Sequence, residues 1–221
     1  MSGVVGVVVF PGSNCEMDCI ESITQLGGEG RLLWHGDEDL CGVDAVIVPG
    51  GFAHGDYLRP GAIARFSPVM TEVSRFAADG GPVVGICNGF QVLTEAGLLP
   101  GALQKNDGLK FLCQPAILRV ESSDSLLTSR AATGDRLSIP INHFEGNYTC
   151  DEETLMALRD EDRVILRYID NPNGSVDNIA GVCNEGRNVV GLMPHPERAC
   201  NELLGSSDGS VLLGSLLDLV T

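Results

Sequence analysis

The sequence predicts an α/β fold of the flavodoxin-like type, with a mostly parallel sheet, helices on both faces, and an antiparallel or mixed extension in the second half. Two observations predict it. In the first half, short apolar runs alternate with helical patterns, and in the second half strand patterns follow one another across tight turns. The chain of 221 residues is 43% hydrophobic and contains no repeat or linker, so we expect one domain over residues 1–221.

The first half contains four predicted strands and three predicted helices. The strands are "VVGVVVF", "GRLLWH", "VDAVIVPGG" and "GPVVGI", and the helices are "NCEMDCIESITQLG", "GAIARFSPVMTEVSRFAADGG" and "NGFQVLTEAGLL". We expect the second helix to break near Pro68, because proline disrupts a helix interior. Continuous apolar strands that alternate with helices indicate a parallel sheet covered on both faces.

The second half contains predicted strands without helices between most of them. These are "FLCQPAILRVES", "RLSIPINHFEGNY", "RVILRYID", "IAGVCN" and "NVVGLMPH", and the last 20 or so residues form a closing helix, "ELLGSSDGSVLLGSLLDLV". Tight turns such as "NEGRN" predict antiparallel neighbours, which would extend the parallel sheet.

Charge and composition exclude several functional classes. The net charge of −16 argues against nucleic acid or an anionic membrane surface as a partner. The apolar N-terminal run lacks a basic region and a cleavage site, and no run could span a bilayer, so we expect a cytoplasmic protein. The 8 cysteines show no C-x-x-C pair, and Cys15 and Cys19 have no histidine pair nearby, so we expect no metal site.

Cys87 lies in Gly-x-Cys-x-Gly, between a predicted buried strand and a predicted helix. Glycines on both sides allow a sharp turn like the nucleophile elbow of hydrolases, where the side chain is exposed above the sheet. A helix N-terminus favours the thiolate form of cysteine. We therefore predict that Cys87 is a nucleophile, although a buried structural cysteine is the common alternative.

Two backbone groups are candidates to stabilise an oxyanion beside Cys87. Gly50 and Gly51 follow an apolar strand, so their bare backbone could approach a ligand closely. The N–H of Asn88, the residue after the nucleophile, would be the second donor.

His195 is the candidate base among the four histidines. It follows an apolar strand in "GLMPHPERA", and Glu197 two residues later would lie on the same side of an extended backbone, where it could orient the imidazole. The other histidines are His35, His54 and His143, of which His143 is a candidate for substrate contact.

Several motifs together resemble a known family. Gly-x-Cys-x-Gly-x-Gln, an upstream Pro-Gly-Gly and a late His-Pro-Glu are similar to class I (triad) glutamine amidotransferases. "FPGSNCE", "VPGGFAHGDYLRPGAIARF", "NGSVDNIAGVCNE" and "GLMPHPERA" resemble, more closely, the glutaminase subunits of phosphoribosylformylglycinamidine synthases in purine biosynthesis. This resemblance runs from Val7 to about Gly209.

The resemblance implies glutamine as substrate, Cys87 as nucleophile, His195 as base and acid, and Glu197 as its orienting partner. It also implies the oxyanion donors and glutamine contacts, which are Gly51, Asn88, Gln91, Asn142, His143 and Phe144. The chain departs from the family pattern at two positions: His54 stands where many relatives have tyrosine, and Phe144 where many have glycine.

The resemblance also implies partners and excludes a cofactor in this chain. The sequence has no Gly-x-x-x-x-Gly-Lys loop for ATP. We therefore expect ATP and Mg²⁺ to bind a separate synthetase subunit, which receives the ammonia, with a small accessory subunit completing the complex.

Two alternatives remain open from the sequence. One is another triad amidotransferase or a glutamyl peptidase on the same scaffold. The other is a non-enzymatic thiol-sensing module in which Cys87 is oxidised rather than acylated.

Overall fold

The computed structural model describes residues 3–220, so the ends of the predicted domain lie outside it. The strands are β1 (Val4–Val9), β2 (Glu29–Trp34), β3 (Ala45–Val48), β4 (Val83–Ile86), β5 (Ala102–Gln104), β6 (Leu112–Val120), β7 (Arg136–His143), β8 (Asn147–Thr149), β9 (Val164–Tyr168), β10 (Ile179–Cys183) and β11 (Val189–Leu192). The α-helices are α1 (Glu16–Gln25), α2 (Pro68–Ala78), α3 (Asn88–Glu95), α4 (Glu152–Asp160) and α5 (Gly209–Val220).

Nine strands form one sheet in the order β2-β1-β3-β4-β11-β10-β9-β6-β7. The first five in this order are parallel neighbours, and the pairs from β11 to β7 are antiparallel. The predicted fold class, with its parallel half and antiparallel extension, is therefore confirmed.

The order of the parallel strands brings their loops to one edge of the sheet. The chain passes from β1 to β2 on one side, and then crosses to β3 and β4 on the other side. Because such crossovers are right-handed, α1 and α2 lie on opposite faces. The reversal of direction at β1 creates a crevice beyond the carboxyl ends of the strands, where α/β folds bind their ligands.

The antiparallel extension curls back over this crevice. The N–H of His195, which follows central strand β11, donates to the carbonyl of Pro140 on edge strand β7 (2.8 Å). The Cys87 thiol, which follows β4, likewise donates to the carbonyl of Asn142 on β7 (3.6 Å). The far edge of the sheet thus forms one wall of the site.

The structure differs from the predicted elements at several boundaries. The helix predicted from Gly61 begins at Pro68, since Ser67 is extended and a proline fits the first helical position. The closing helix begins only at Gly209, after a short 3₁₀ turn that ends in left-handed Gly205. The strand predicted over residues 136–148 divides into β7 and β8, and the sequence did not predict α4 or β5.

Within residues 3–220, no helix is both long enough and apolar enough to cross a membrane.

Candidate active site

Cys87 lies between β4 and α3 in a strained backbone conformation, with φ of 50° and ψ of −106°. Only a small fraction of residues other than glycine has positive φ, and such strain is concentrated at functional sites. The Cys87 N–H donates to the Leu192 carbonyl at the end of β11 (2.8 Å), which fixes the turn between two central strands. The side chain is largely buried but lines the cleft.

The two glycines of Gly-x-Cys-x-Gly are required by close packing. A Cβ on Gly85 would lie 2.7 Å from the Gly89 carbonyl oxygen, and a Cβ on Gly89 would lie 1.8 Å from the Val48 carbonyl oxygen. The first turn of α3 therefore packs directly on the backbone of β3. This close approach forces the sharp turn that presents Cys87 above the sheet.

His195 and Glu197 form a buried pair beside Cys87. The His195 Nδ1 and Glu197 Oε1 atoms are 2.6 Å apart, and the residues are only 1% and 2% exposed. Burial alone disfavours the imidazolium, yet the Glu197 carboxylate and the Cys87 thiol raise the pKa of His195 well above its usual range. This pair can orient an imidazole and stabilise its charged form, as in catalytic triads.

The remaining polar atoms of this pair are free. His195 Nε2 and Glu197 Oε2 are buried without a hydrogen-bond partner. The Glu197 backbone is held in turn by Ser22, whose hydroxyl donates to its carbonyl (2.8 Å). A free Nε2 beside a thiol is able to exchange protons with substrate or water.

Gly51 lines the cleft, and Asn88 is the first residue of α3, directly after Cys87. Gly51 has φ of 146°, and a Cβ there would lie within 3.0 Å of Asn14 N and Ser13 Cα, so only glycine fits. The Asn88 side chain accepts a hydrogen bond from the Ala53 N–H (2.9 Å), which ties α3 to the loop after β3. The Asn88 N–H belongs to the first turn of α3, where backbone donors have no partner within the helix.

Gln91 and the residues at the end of β7 and just after it also line the cleft. The Gln91 amide donates to the Glu145 carbonyl and accepts from the Asn88 amide (2.9 Å). Asn142, His143 and Phe144 line the cleft together with Cys87 and His195. The structure therefore brings all nine residues of the predicted site to one place, and their individual roles remain predictions.

The His143 ring makes one hydrogen bond, to Asn173, and the His143 backbone makes another, to Asn106. Burial and nearby His195 lower the pKa of His143 to about 3, so its ring is neutral. The Asn173 amide nitrogen lies 3.1 Å from His143 Nε2, and the Asn106 amide donates to the His143 carbonyl (3.0 Å). Because an amide nitrogen can only donate, the ring proton is assigned to Nδ1.

Several residues that line the cleft had no role predicted from the sequence, and two of them bear on its chemistry. The first is Asp56, whose Oδ1 accepts from the Asn88 amide (3.0 Å); burial raises the pKa of this carboxyl to about 6, although that hydrogen bond opposes the shift. The second is Cys15, whose thiol lies beside His195. A signal was present, since "FPGSNCE" follows β1 and "FAHGDYLR" follows β3, at the ligand-binding edge of the sheet.

Comparisons with known proteins agree with this geometry. The model of the CobB/CobQ-like glutamine amidotransferase domain matches residues 3–208. The phosphoribosylformylglycinamidine synthase subunit PurQ of Rubrobacter xylanophilus is 60% identical over 96% of this chain and 97% of its own length. The PurQ subunit of Koribacter versatilis is 53% identical, with 96% of each chain covered.

Solved structures give the same result. The structure of PurLQS from Thermotoga maritima matches all of both chains with a TM-score of 0.92 and 42% identity. A glutamine amidotransferase from Thermotoga maritima matches with a TM-score of 0.58 and 15% identity, over 90% of this chain and 78% of that one. At that identity the second likeness concerns the fold alone.

Proposed function

The chain belongs to the family of phosphoribosylformylglycinamidine synthase subunits PurQ, within the CobB/CobQ-like glutamine amidotransferases, and we propose that it hydrolyses the side-chain amide of glutamine for such a synthase. This is the first of the three functions that the sequence left open. The observation that carries the proposal is the His195–Glu197 pair, 2.6 Å apart, in one cleft with strained Cys87.

The geometry supports a covalent mechanism with Cys87 as the nucleophile. The Cys87 thiolate attacks the carboxamide carbon, and the oxyanion that forms is stabilised by the N–H groups of Gly51 and Asn88. His195 protonates the nitrogen as the C–N bond breaks, and ammonia leaves. His195 then removes a proton from water, which hydrolyses the thioester to glutamate and returns Cys87 to its starting form.

The residues around the nucleophile have supporting roles in this proposal. Glu197 orients the His195 ring and stabilises its positive charge. Gln91 and the segment of Asn142, His143 and Phe144 enclose the glutamine, with His143 positioned by its contact to Asn173. Because His143 is neutral, it does not repel the positive charge of the His195 imidazolium. The Glu197 carboxylate stabilises that charge.

We propose that the ammonia passes to a synthetase subunit that binds ATP and Mg²⁺, with a small accessory subunit in the complex. The relatives support this, since they are synthase subunits and the matched Thermotoga maritima structure is that of PurLQS. Large apolar side chains are exposed at the cleft mouth and in nearby loops, as expected of a surface that another protein covers. These are Phe52, Tyr57, Leu58, Leu109 and Phe111.

The proposed compartment is the cytoplasm. Within residues 3–220 the cysteines are all free, as is usual in reducing compartments.

The test is the Cys87→Ser variant in the complex reconstituted with its synthetase partner. We expect glutamine-dependent synthesis to be lost while synthesis from ammonium salts is retained, because a serine hydroxyl is not ionised at neutral pH and the acceptor site is on the other subunit. Cys41→Ser, which removes an exposed thiol, is the control and should keep both activities. If Cys87→Ser keeps more than about a tenth of the glutamine-dependent rate, Cys87 is not the nucleophile.

A further inference from the structure

The cleft contains a second buried thiol that the proposed mechanism does not use. Cys15 is 1% exposed, follows β1 and precedes α1, whereas Cys87 follows β4. Its Sγ atom, one ring nitrogen of His195 and one carboxylate oxygen of Glu197 all lie within 4.8 Å of one another. A sulfur, a nitrogen and an oxygen thus converge from two distant parts of the chain.

Two further observations show that this cluster can accept a ligand. His195 Nε2 and Glu197 Oε2 are buried without hydrogen-bond partners, so the carboxylate has an oxygen lone pair that faces no donor. Buried polar atoms are almost always paired, and two unpaired atoms in neighbouring side chains are unusual. A cation bound in the cluster would give Glu197 Oε2 a partner.

The second observation is the way in which the Cys15 sulfur is held. The Arg198 guanidinium donates from Nη2 to Cys15 Sγ (3.2 Å), which positions the sulfur. The Arg198 charge is itself paired, since Nε donates to Asp18 (3.0 Å). Once Cys15 is deprotonated, the cluster presents two anionic ligands, a thiolate and a carboxylate, without an adjacent unpaired cation.

We propose that Cys15, His195 and Glu197 form a binding site for a thiophilic divalent cation of the zinc class, and that occupancy of this site stops glutamine hydrolysis. Thiolate sulfur, imidazole nitrogen and carboxylate oxygen are the ligands that zinc prefers. On binding, metal–sulfur and metal–nitrogen bonds form, and the Cys15 thiol and the His195 imidazolium each release one proton to solvent. His195, held by the cation, can no longer transfer protons to or from glutamine.

This site was not predictable from the cysteine pattern. Cys15 and Cys19 lack a neighbouring histidine in the sequence, which is why no metal site was expected there. The fold brings His195 to Cys15 because β1 and β11 both end at the same edge of the parallel sheet. The proposed cation is an inhibitor of this site and not a cofactor of the reaction.

Binding is tested with Cd²⁺ on the purified full chain, followed by the ultraviolet absorption of the cadmium–thiolate bond. We expect Cys15→Ser, Cys15→Ala and His195→Asn to bind Cd²⁺ at least about tenfold more weakly, since even the outer partners of metal ligands contribute about 10–100-fold to affinity. Cys41→Ser is the control, because its thiol is exposed and belongs to a different loop; its affinity should equal that of the unmodified chain.

The Cys87→Ser variant distinguishes the proposed site from a site formed by Cys87 and His195 alone. If Cys87 and His195 alone bound the cation, Cys87→Ser would abolish binding and the Cys15 variants would keep it, which would overturn the proposal. Retained binding in Cys87→Ser together with loss in His195→Asn supports it, and this comparison decides the matter even if the Cys15 variants do not fold.

Inhibition is tested separately and rests on the proposed function. Zn²⁺ should lower glutamine hydrolysis, and a chelator should restore it. With each variant's rate normalised to its own metal-free value, Cys15→Ser should require at least about tenfold more Zn²⁺ than the unmodified chain. Equal sensitivity would overturn the inhibitory role, whereas cadmium binding without any glutamine hydrolysis would contradict only the proposed function.

Discussion

Cys87 has a backbone conformation that suits glycine better than cysteine. Its φ of 50° and ψ of −106° fall outside the regions that residues with a Cβ prefer, and such strain costs about 1–3 kcal/mol. The neighbouring strands and α3 hold the turn in place, so the free energy of folding offsets the strain. The strained turn directs the Cys87 side chain into the cleft, where it can react with a substrate.

This strain leads to a prediction about stability at the nucleophile. Cys87→Gly should be more stable than Cys87→Ala, by about 1 kcal/mol or more, because glycine adopts this conformation without strain. At Cys19, which is buried within α1, the order should be reversed, since glycine destabilises a helix interior by about 0.5–1 kcal/mol relative to alanine.

The measurement is urea unfolding of the four variants. If Cys87→Ala were as stable as Cys87→Gly while the Cys19 pair behaved as expected, the turn would carry little strain.

Asp56 gives a prediction about pH. Burial raises the pKa of Asp56 from its ordinary value of 3.8 to about 6, so between these values the folded state binds more protons than the unfolded state. The contribution of Asp56 to stability therefore falls as pH rises through this window, and the loss is complete above about pH 6.

Asp56→Asn should remove this dependence. Asparagine keeps an oxygen that can accept from the Asn88 amide but has no charge to bury. The stability of the variant relative to the unmodified chain should therefore be greater at about pH 8 than at about pH 5, measured by urea unfolding. An equal difference at the two pH values would show that Asp56 does not titrate in this way.

At the scale of elements, the position of α3 depends on its contact with β3. The Gly89 backbone lies against the Val48 carbonyl so closely that a Cβ would come within 1.8 Å of that oxygen. Because the obstacle is backbone, the helix itself would have to move. Cys87 and Asn88 sit at its N-terminus and would move with it.

Gly89→Ala should accordingly impair both stability and activity. We expect a loss of about 1–3 kcal/mol in the free energy of unfolding, as for other overpacked sites. We also expect a lower turnover of glutamine from the displaced nucleophile. The matched control is Gly108→Ala, where a Cβ has no atom within 4 Å and φ is not positive, and which should leave stability and turnover nearly unchanged. If Gly89→Ala behaved like this control, α3 would not need this close contact.

Elements were predicted well wherever burial makes the sequence pattern strong. Strands β3 and β4 are fully buried and consist mainly of β-branched residues, so their apolar runs were clear. Helix α4 was missed because it is short, at 9 residues, and buries only Leu158 fully, so its apolar pattern covers little of the sequence. Its N-cap, Asp151, which accepts from the Thr154 N–H, was the remaining signal.

At the scale of the whole molecule, the site is assembled from contacts that no local pattern contains. The nucleophile turn and the His-x-Glu pair were visible as motifs because their geometry is local. The placement of Cys15 beside His195, and of the edge strand β7 across the cleft, depends on sheet order and on the curl of the antiparallel extension. The motifs thus identified the predicted catalytic residues. The topology of the sheet determines which further residues lie beside them.

The loop that follows β3 combines backbone strain with exposed apolar side chains. His54, Asp56 and Leu58 all have left-handed φ values of 52°, 51° and 70°, which is strained for residues with a Cβ. Leu58 is 90% exposed, and its neighbour Tyr57 is 73% exposed. A strained segment with exposed apolar side chains, directly after Gly51, can exchange its present contacts for contacts with another subunit.

The loaded synthetase partner should therefore raise glutamine turnover by about tenfold or more, equivalent to roughly 1.4 kcal/mol of barrier. Reorientation of the loop would complete the oxyanion site at Gly51, and partner binding would favour that conformation. Steady-state hydrolysis is measured for the chain alone and with the partner, nucleotide and acceptor. Leu58→Ser should reduce the stimulation, whereas Leu219→Ser, a 54% exposed leucine on α5, should not. Equal turnover with and without the partner would mean that the site is complete in the isolated chain. If the partner stimulated Leu58→Ser as strongly as the unmodified chain, the stimulation would not depend on this loop.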